Sequence, residues 1–237
     1  MEFRILRQSG FKWKALFTSF LLCILFTNIS PPLHAQPAND FTAARIKYRG
    51  GGDWYNDPSS LRNLIEYAQA RVPLSLSSDY QDVALGSRDL FNYPFAFLTG
   101  HGTISINQAE ASNLREYLDS GGFLYVDDDY GLDESFRKMV QTVYPDEELI
   151  ELPFGHPIYH QVFDFPDGPP KIHEHDNKAA QGFGLFKNGR LVIYYTYESN
   201  LADGWADPEI HKNPAALREK ALQMGTNILV YAFTSGR

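Results

Sequence analysis

The chain of 237 residues has a single cysteine, Cys23, buried in its longest apolar stretch near the N-terminus. Beyond residue 35 there is no thiol at all, which excludes disulfides, thiolate metal ligands and a cysteine nucleophile from that part of the chain. Basic surface is scarce as well. Four of the 21 Lys and Arg and one of the 29 Asp and Glu fall in the first 35 residues, leaving 17 basic against 28 acidic side chains after them. No Lys/Arg run occurs there, so a phosphate backbone would find nowhere to exchange counterions, and nucleic acid is not an expected partner. Internal repeats and low-complexity tracts are also missing.

The N-terminus has a pattern of its own. Arg4, Arg7, Lys12 and Lys14 precede an apolar stretch from Ala15 to Ile29, and Pro31-Pro32 breaks it before Ala35, the form of a secretory signal with a cut ahead of Gln36. Residues 1–35 are therefore read as a signal peptide. An uncleaved membrane anchor is the alternative, since a span needs ~20 apolar residues, and membrane contact is expected only through that segment. Leu22 stands before Cys23 where a lipoprotein signal carries a small residue, so Cys23 is not read as a lipidation site. The protein is expected to be exported, to the periplasm or the extracellular space. Residues 36–40 form a linker, and residues 41–237 are long enough for one domain that needs no staples.

Within that domain, alternation from Thr42 to Tyr48 predicts a strand that stops at Gly50-Gly51-Gly52. Asn56-Asp57-Pro58 then reads as an N-cap with proline at the first helical position, ahead of the apolar face Leu61, Leu64, Ile65 and Ala68. A second strand is expected near Leu74-Ser75-Leu76. The continuous apolar run Pro94 to Leu98 resembles a strand buried in a parallel sheet, and it ends at Thr99-Gly100-His101-Gly102. Ser105 and Gln108 form a capping-box pattern for a helix closed by Gly121-Gly122. The next strand, Gly122 to Val126, runs into Asp127, Asp128 and Asp129. Asp133 caps a further helix, and Leu149 to Leu152 reads as a fifth strand. Residues 153–181 hold five prolines and four of the seven histidines without any period, an excursion of the kind that more often carries function than idles. Lys187-Asn188-Gly189 joins a hairpin, and Asn213-Pro214 opens a long closing helix.

If the strands are parallel, right-handed crossovers bring their carboxyl ends to one edge. Gly51, Gly52, Asp53 and Trp54 would then meet Gly100, His101 and Gly102, and also Asp127, Asp128 and Asp129. The glycines would let a ligand approach the backbone, or else serve tight turns. Alternation places Asp127 and Asp129 on one face with Asp128 opposed, and carboxylates so spaced need a cation, a donor or solvent. A divalent metal held by Asp127 and Asp129 with His173 and His175 is one outcome, and His101 is a further nitrogen ligand to weigh. Capping of the following helix is the second, and acid/base chemistry by Asp127, Asp128, Asp129 and His101 is the third. A ligand would touch Gly51, Gly52, Asp53, Trp54, Gly100, His101, Gly102 and Asp128.

The runs GGGDWYNDPSSLRNL, FLTGHG, GGFLYVDDDYG, HPIYH, HEHD and MGTNILVYAFT, in that order, resemble the bacterial family known as domain of unknown function 4159, from about Phe41 to Thr234. That family is grouped with the class I glutamine amidotransferase-like proteins. The resemblance implies a flavodoxin-like three-layer α/β/α sandwich with a mostly parallel sheet, a C-terminal hairpin and a long helix. It also implies a Cys at a strand-to-helix elbow, where this chain has Asp127 to Asp129 instead. Glutaminase chemistry by a thiolate is excluded, and no Ser replaces it. The expectation is a binding module for a small molecule, a glycan or an envelope protein. A hydrolase using the acids and histidines, with or without a divalent metal, and an envelope scaffold are the alternatives.

Overall fold

The central strands Phe95–Leu98, Phe123–Asp127 and Arg190–Tyr197 are buried on both faces, so the sheet must be covered twice. In the computed structural model, which describes residues 41–235, the elements run β1 (Phe41–Lys47), α1 (Ser60–Gln69), β2 (Leu76–Ala84), β3 (Phe95–Leu98), α2 (Gln108–Asp119), β4 (Phe123–Asp127), α3 (Asp133–Val143), β5 (Ile150–Glu151), β6 (Gln181–Lys187), β7 (Arg190–Tyr197), α4 (Leu201–Trp205), α5 (Pro208–His211) and α6 (Ala215–Thr234). The expected signal segment, its expected cut and the expected linker lie outside the described residues. Seven strands form one sheet in the order β2-β1-β3-β4-β7-β6-β5. β2, β1, β3, β4 and β7 are parallel, while β6 and β5 add antiparallel strands at one edge. This mostly parallel sheet, with helices around it and a long C-terminal helix, agrees with the flavodoxin-like sandwich that the resemblance implies.

On one face Ala44, Ile46, Leu98 and Val126 pack with Leu114 and Leu118 of α2 and Phe136 and Val140 of α3. On the other, Ala43, Phe97 and Tyr125 pack with Leu61 and Leu64 of α1, Trp205 of α4, and Met224 and Ile228 of α6. An aromatic row crosses this second face. The Phe97 and Tyr125 rings stack at 5.6 Å, those of Tyr125 and Tyr194 at 5.8 Å, and Trp205 lies 5.6 Å from Phe97 and 5.7 Å from Tyr125. Such offset contacts add to the area these rings remove from water. They also fix α4 over the ends of β3, β4 and β7. Gly204 allows this fit, since a Cβ there would overlap Ala221 of α6.

Several local expectations shift by a residue or two for identifiable reasons. α1 begins at Ser60 rather than at Pro58, because Asp57 takes a left-handed conformation (φ 46°) and its carboxylate turns away to His211. The capping box of α2 is Asn107 with Glu110, whose reciprocal bonds are 2.9 and 2.8 Å. Ser105 is instead drawn into a bridge with Arg49. The first amide ahead of α3, that of Leu132, is capped at 2.9 Å by Asp128 rather than by Asp133. β2 lies later and runs longer than expected; as an edge strand it is polar, so its sequence lacks an apolar alternation to read. α4 and α5 were not expected from the sequence. The excursion after β5 carries one 3₁₀ turn, Pro157–Tyr159, and hangs from α6 through buried Asn227. The Oδ1 of Asn227 accepts from the amides of Val162 and Phe163, both at 2.9 Å, and its Nδ2 donates to Phe163 O at 2.7 Å. Among the described residues no helix is long and apolar enough to cross a membrane.

Candidate functional site at the carboxyl rim of the sheet

From β1 the chain crosses to β2 on one side, and β3 lies on the other. This reversal opens a crevice at the strand ends, where open α/β sheets bind ligands. Three loops meet there and are joined by main chain. Gly52 N donates to Thr103 O (3.0 Å), Asp53 N to His101 O (3.2 Å) and Gly102 N to Tyr130 O (2.9 Å). The glycines serve this lacing. Gly100 has φ 134° and Gly102 φ 93°, and a Cβ on Gly52 or Gly100 would run into the Tyr48 hydroxyl. Gly51, at φ 97°, is a turn position with open space around its α-carbon. Arg45 props the loop after β1 from below. Its guanidinium grips Asp82 at 2.8 and 3.1 Å, lies over the Trp54 ring, and reaches the carbonyls of Tyr55 and Asn56.

The three consecutive acids part company. Asp127 ends β4 facing the α1/α6 layer and is fully buried; it accepts from Thr196 Oγ1 (2.5 Å), the Ala202 amide (2.8 Å) and Tyr125 OH (3.1 Å). It is the anchor that holds the start of α4. Burial pushes its carboxyl up to about 7 against the pull of those donors. Asp128 faces the opposite layer, where it accepts from Leu132 N and from Tyr195 OH (3.3 Å). Burial raises it to about 6. Asp129 alone turns into the rim.

Around Asp129 the loops converge. Asn56 donates to its Oδ2, Asn200 Nδ2 reaches its Oδ1 at 2.9 Å, and His101 Nδ1 lies 3.2 Å from Oδ2. The same His101 nitrogen lies 3.2 Å from Asp53 Oδ2, so the imidazole is held between two carboxylates. Asn200 also meets His175 Nε2 at 2.9 Å. The excursion supplies His175 because the Ile172 amide bonds Ser199 O and Ser199 Oγ bonds Pro170 O, laying residues 170–175 along the end of β7. The His175 ring stacks on Tyr130 at 4.5 Å and lies 4.7 Å from His173. His173 Nδ1 in turn bonds Asp203 Oδ2 at 3.1 Å. Burial and then the charge of Asp203 raise Asp129, and burial raises Asp203. Burial is also the main cause that lowers His175.

Of the residues singled out in the sequence, Asp53, His101, Asp129, His173 and His175 thus share one cluster, with Trp54 beside it. Asp127 and Asp128 are spent on the scaffold. Five more residues belong to the site: Asn56 and Asp57 before α1, Asn200 at the start of α4, Asp203 within it, and His211 at the end of α5. His211 Nε2 bonds both oxygens of Asp57, at 2.8 and 3.0 Å. The signal for the last two was Asp207-Pro208, a cap-plus-proline pattern like those at Pro58 and Pro214, with Asp203 and His211 on either side.

The cluster has more acceptors than donors. Buried Asn56 Oδ1, Asn200 Oδ1 and Asp203 Oδ1 have no hydrogen-bond partner among the described residues. Such groups cost free energy unless something supplies a donor or a positive charge. The comparison with curated proteins gives no match. Residues 42–233, which hold nearly every residue of the seven strands and six helices, match the family described as Domain of unknown function (DUF4159), and the chain belongs to that family.

Proposed function

We propose that this chain is an exported binding module of the glutamine amidotransferase-like type that has no nucleophile, and that its rim takes a small ligand rich in hydrogen-bond donors, of the polyol or glycan kind. The observation that carries this reading is the surplus of buried acceptors around Asp129: Asn56 and Asn200 both spend their amide nitrogens on Asp129 and leave Oδ1 without a donor, which a hydroxyl-bearing ligand at the rim would supply. Tyr130, 48 % exposed and stacked on His175, offers the flat apolar face on which a sugar ring rests. The elbow position after β4 supports the missing nucleophile, since Asp127 and Asp128 there are saturated by scaffold donors. The sheet order supports the superfamily placement. The basic and apolar N-terminal segment supports export.

Titration of the full chain with a panel of monosaccharides, amino sugars and short oligosaccharides, followed by calorimetry and ligand-observed NMR, tests the reading. Saturable binding that falls about tenfold in Tyr130→Ala, the worth of one aromatic contact, and is lost in Asp129→Asn is the expected result. A panel without any binder, or binding indifferent to both substitutions, would refute it. One observation favours a second reading, a hydrolase: His101, held by Asp53 and Asp129 through Nδ1, has its Nε2 unpartnered among the described residues and suited to proton transfer. Turnover of a bound glycan that disappears in His101→Ala would establish it.

A further inference from the structure

Behind Asp129 lies a second group of side chains that the ligand reading does not use. Asp57, Asp203 and His211 each offer a ligand atom, and the three atoms lie within 4.8 Å of one another. They come from three separate places, the turn before α1, the middle of α4 and the end of α5, so no local cap or turn explains why they meet. We propose that they form a binding site for one first-row divalent cation of the Zn2+ or Mn2+ class.

Asp203 makes the case. It is 2 % exposed, His173 holds its Oδ2, and its Oδ1 is buried without a hydrogen-bond donor, 3.6 Å from His211 Nε2. A carboxylate clamped on one oxygen by an imidazole, with the other directed at two further ligands, is the outer-shell arrangement that orients a metal-binding acid. The spacing fits as well. Bonds of about 2.1 Å in a tetrahedron put neighbouring ligand atoms about 3.4 Å apart; His211 Nε2 stands 2.8 Å from Asp57 Oδ1 and 3.6 Å from Asp203 Oδ1. Opening the His211–Asp57 contact by about 0.6 Å and closing the His211–Asp203 one by about 0.2 Å completes three ligands and leaves a fourth position for water. Loading is an exchange, in which the proton leaves His211 Nε2 as the metal takes its lone pair. Two oxygens and one imidazole nitrogen suit Zn2+ or Mn2+. Ca2+ wants six to eight oxygens, and a soft ion wants sulfur.

The inference stands apart from the glycan reading, because the metal titration uses no sugar. The untagged full chain is stripped with chelator and titrated calorimetrically with Zn2+, Mn2+, Mg2+ and Ca2+, with native mass spectrometry for stoichiometry. One equivalent of Zn2+ or Mn2+ should bind, with Mg2+ and Ca2+ far weaker. His211→Ala and Asp203→Asn should weaken binding by roughly a hundredfold and His173→Ala by about tenfold, while His160→Ala, a histidine paired with Asp164 elsewhere on the excursion, should change nothing. If a variant does not fold, Mn2+ broadening of the His211 ring resonances in the unaltered chain gives the same answer. Absence of saturable binding overturns the proposal. So does binding that survives His211→Ala and is lost in His175→Ala, or Mn2+ broadening that spares His211.

Discussion

Asp127 and Asp129 are two positions apart and have opposite fates. One is enclosed by Thr196, Tyr125 and the Ala202 amide, and the other is aimed at the rim. The enclosed acid has a measurable consequence. Its carboxyl, at about 7, and that of Asp128, at about 6, keep protons in the folded chain that the unfolded chain releases near pH 4. Unfolding between those limits therefore releases protons, and raising the pH favours it. Raised His160 and His211 act in the same direction, since the stability they lend below pH 6.5 is lost as pH rises; lowered His156 and His175 oppose it. The melting temperature should fall between pH 5.5 and pH 8, and fall less steeply in Asp127→Asn, which has no proton to lose. Calorimetry across that range checks it, and a melting temperature that climbs with pH would contradict the assignment.

At the scale of elements, the excursion after β5 is the segment with least regular structure and the one that brings His173 and His175 to the site. Its hold on the body runs through Asn227, whose amide serves two N–H groups and one carbonyl of Val162 and Phe163. Asn227→Ala should cost about 2 kcal/mol, because Val162 is partly open to water that can replace part of what is lost. Hydrogen exchange should show the Val162 and Phe163 amides losing protection before those of β4. Much of this architecture was legible in the chain: β1, β3, β4, the β6–β7 hairpin and α6 follow from apolar runs and an Asn-Gly turn, and the meeting of Asp53, His101 and Asp129 follows from parallel strands. Asn227 was not legible. It reads as one polar residue in an apolar helix, and its partners have no sequence signal. Asp203 and His211 escaped for a related reason: α4 and α5 are too short to show a period, and α4 is placed by Trp205 against the aromatic row rather than by local propensity.

For the whole molecule, stability rests on two apolar layers about one sheet, with no covalent link among the described residues. Dithiothreitol should leave the urea midpoint of the chain unchanged, and a shift on reduction would show that Cys23 pairs between chains. The parallel core also explains where variation is tolerable. The loops after β1, β3 and β4 are bound to one another by backbone groups from Gly52, Asp53, Gly102 and their partners, so part of what sets the outline of the crevice is independent of the side chains that line it. Exchange of the Tyr130 side chain, 48 % exposed at the mouth, would then alter the surface the crevice presents while leaving the backbone lacing in place. A lineage can therefore remodel the mouth of this crevice by single substitutions without passing through a misfolded intermediate.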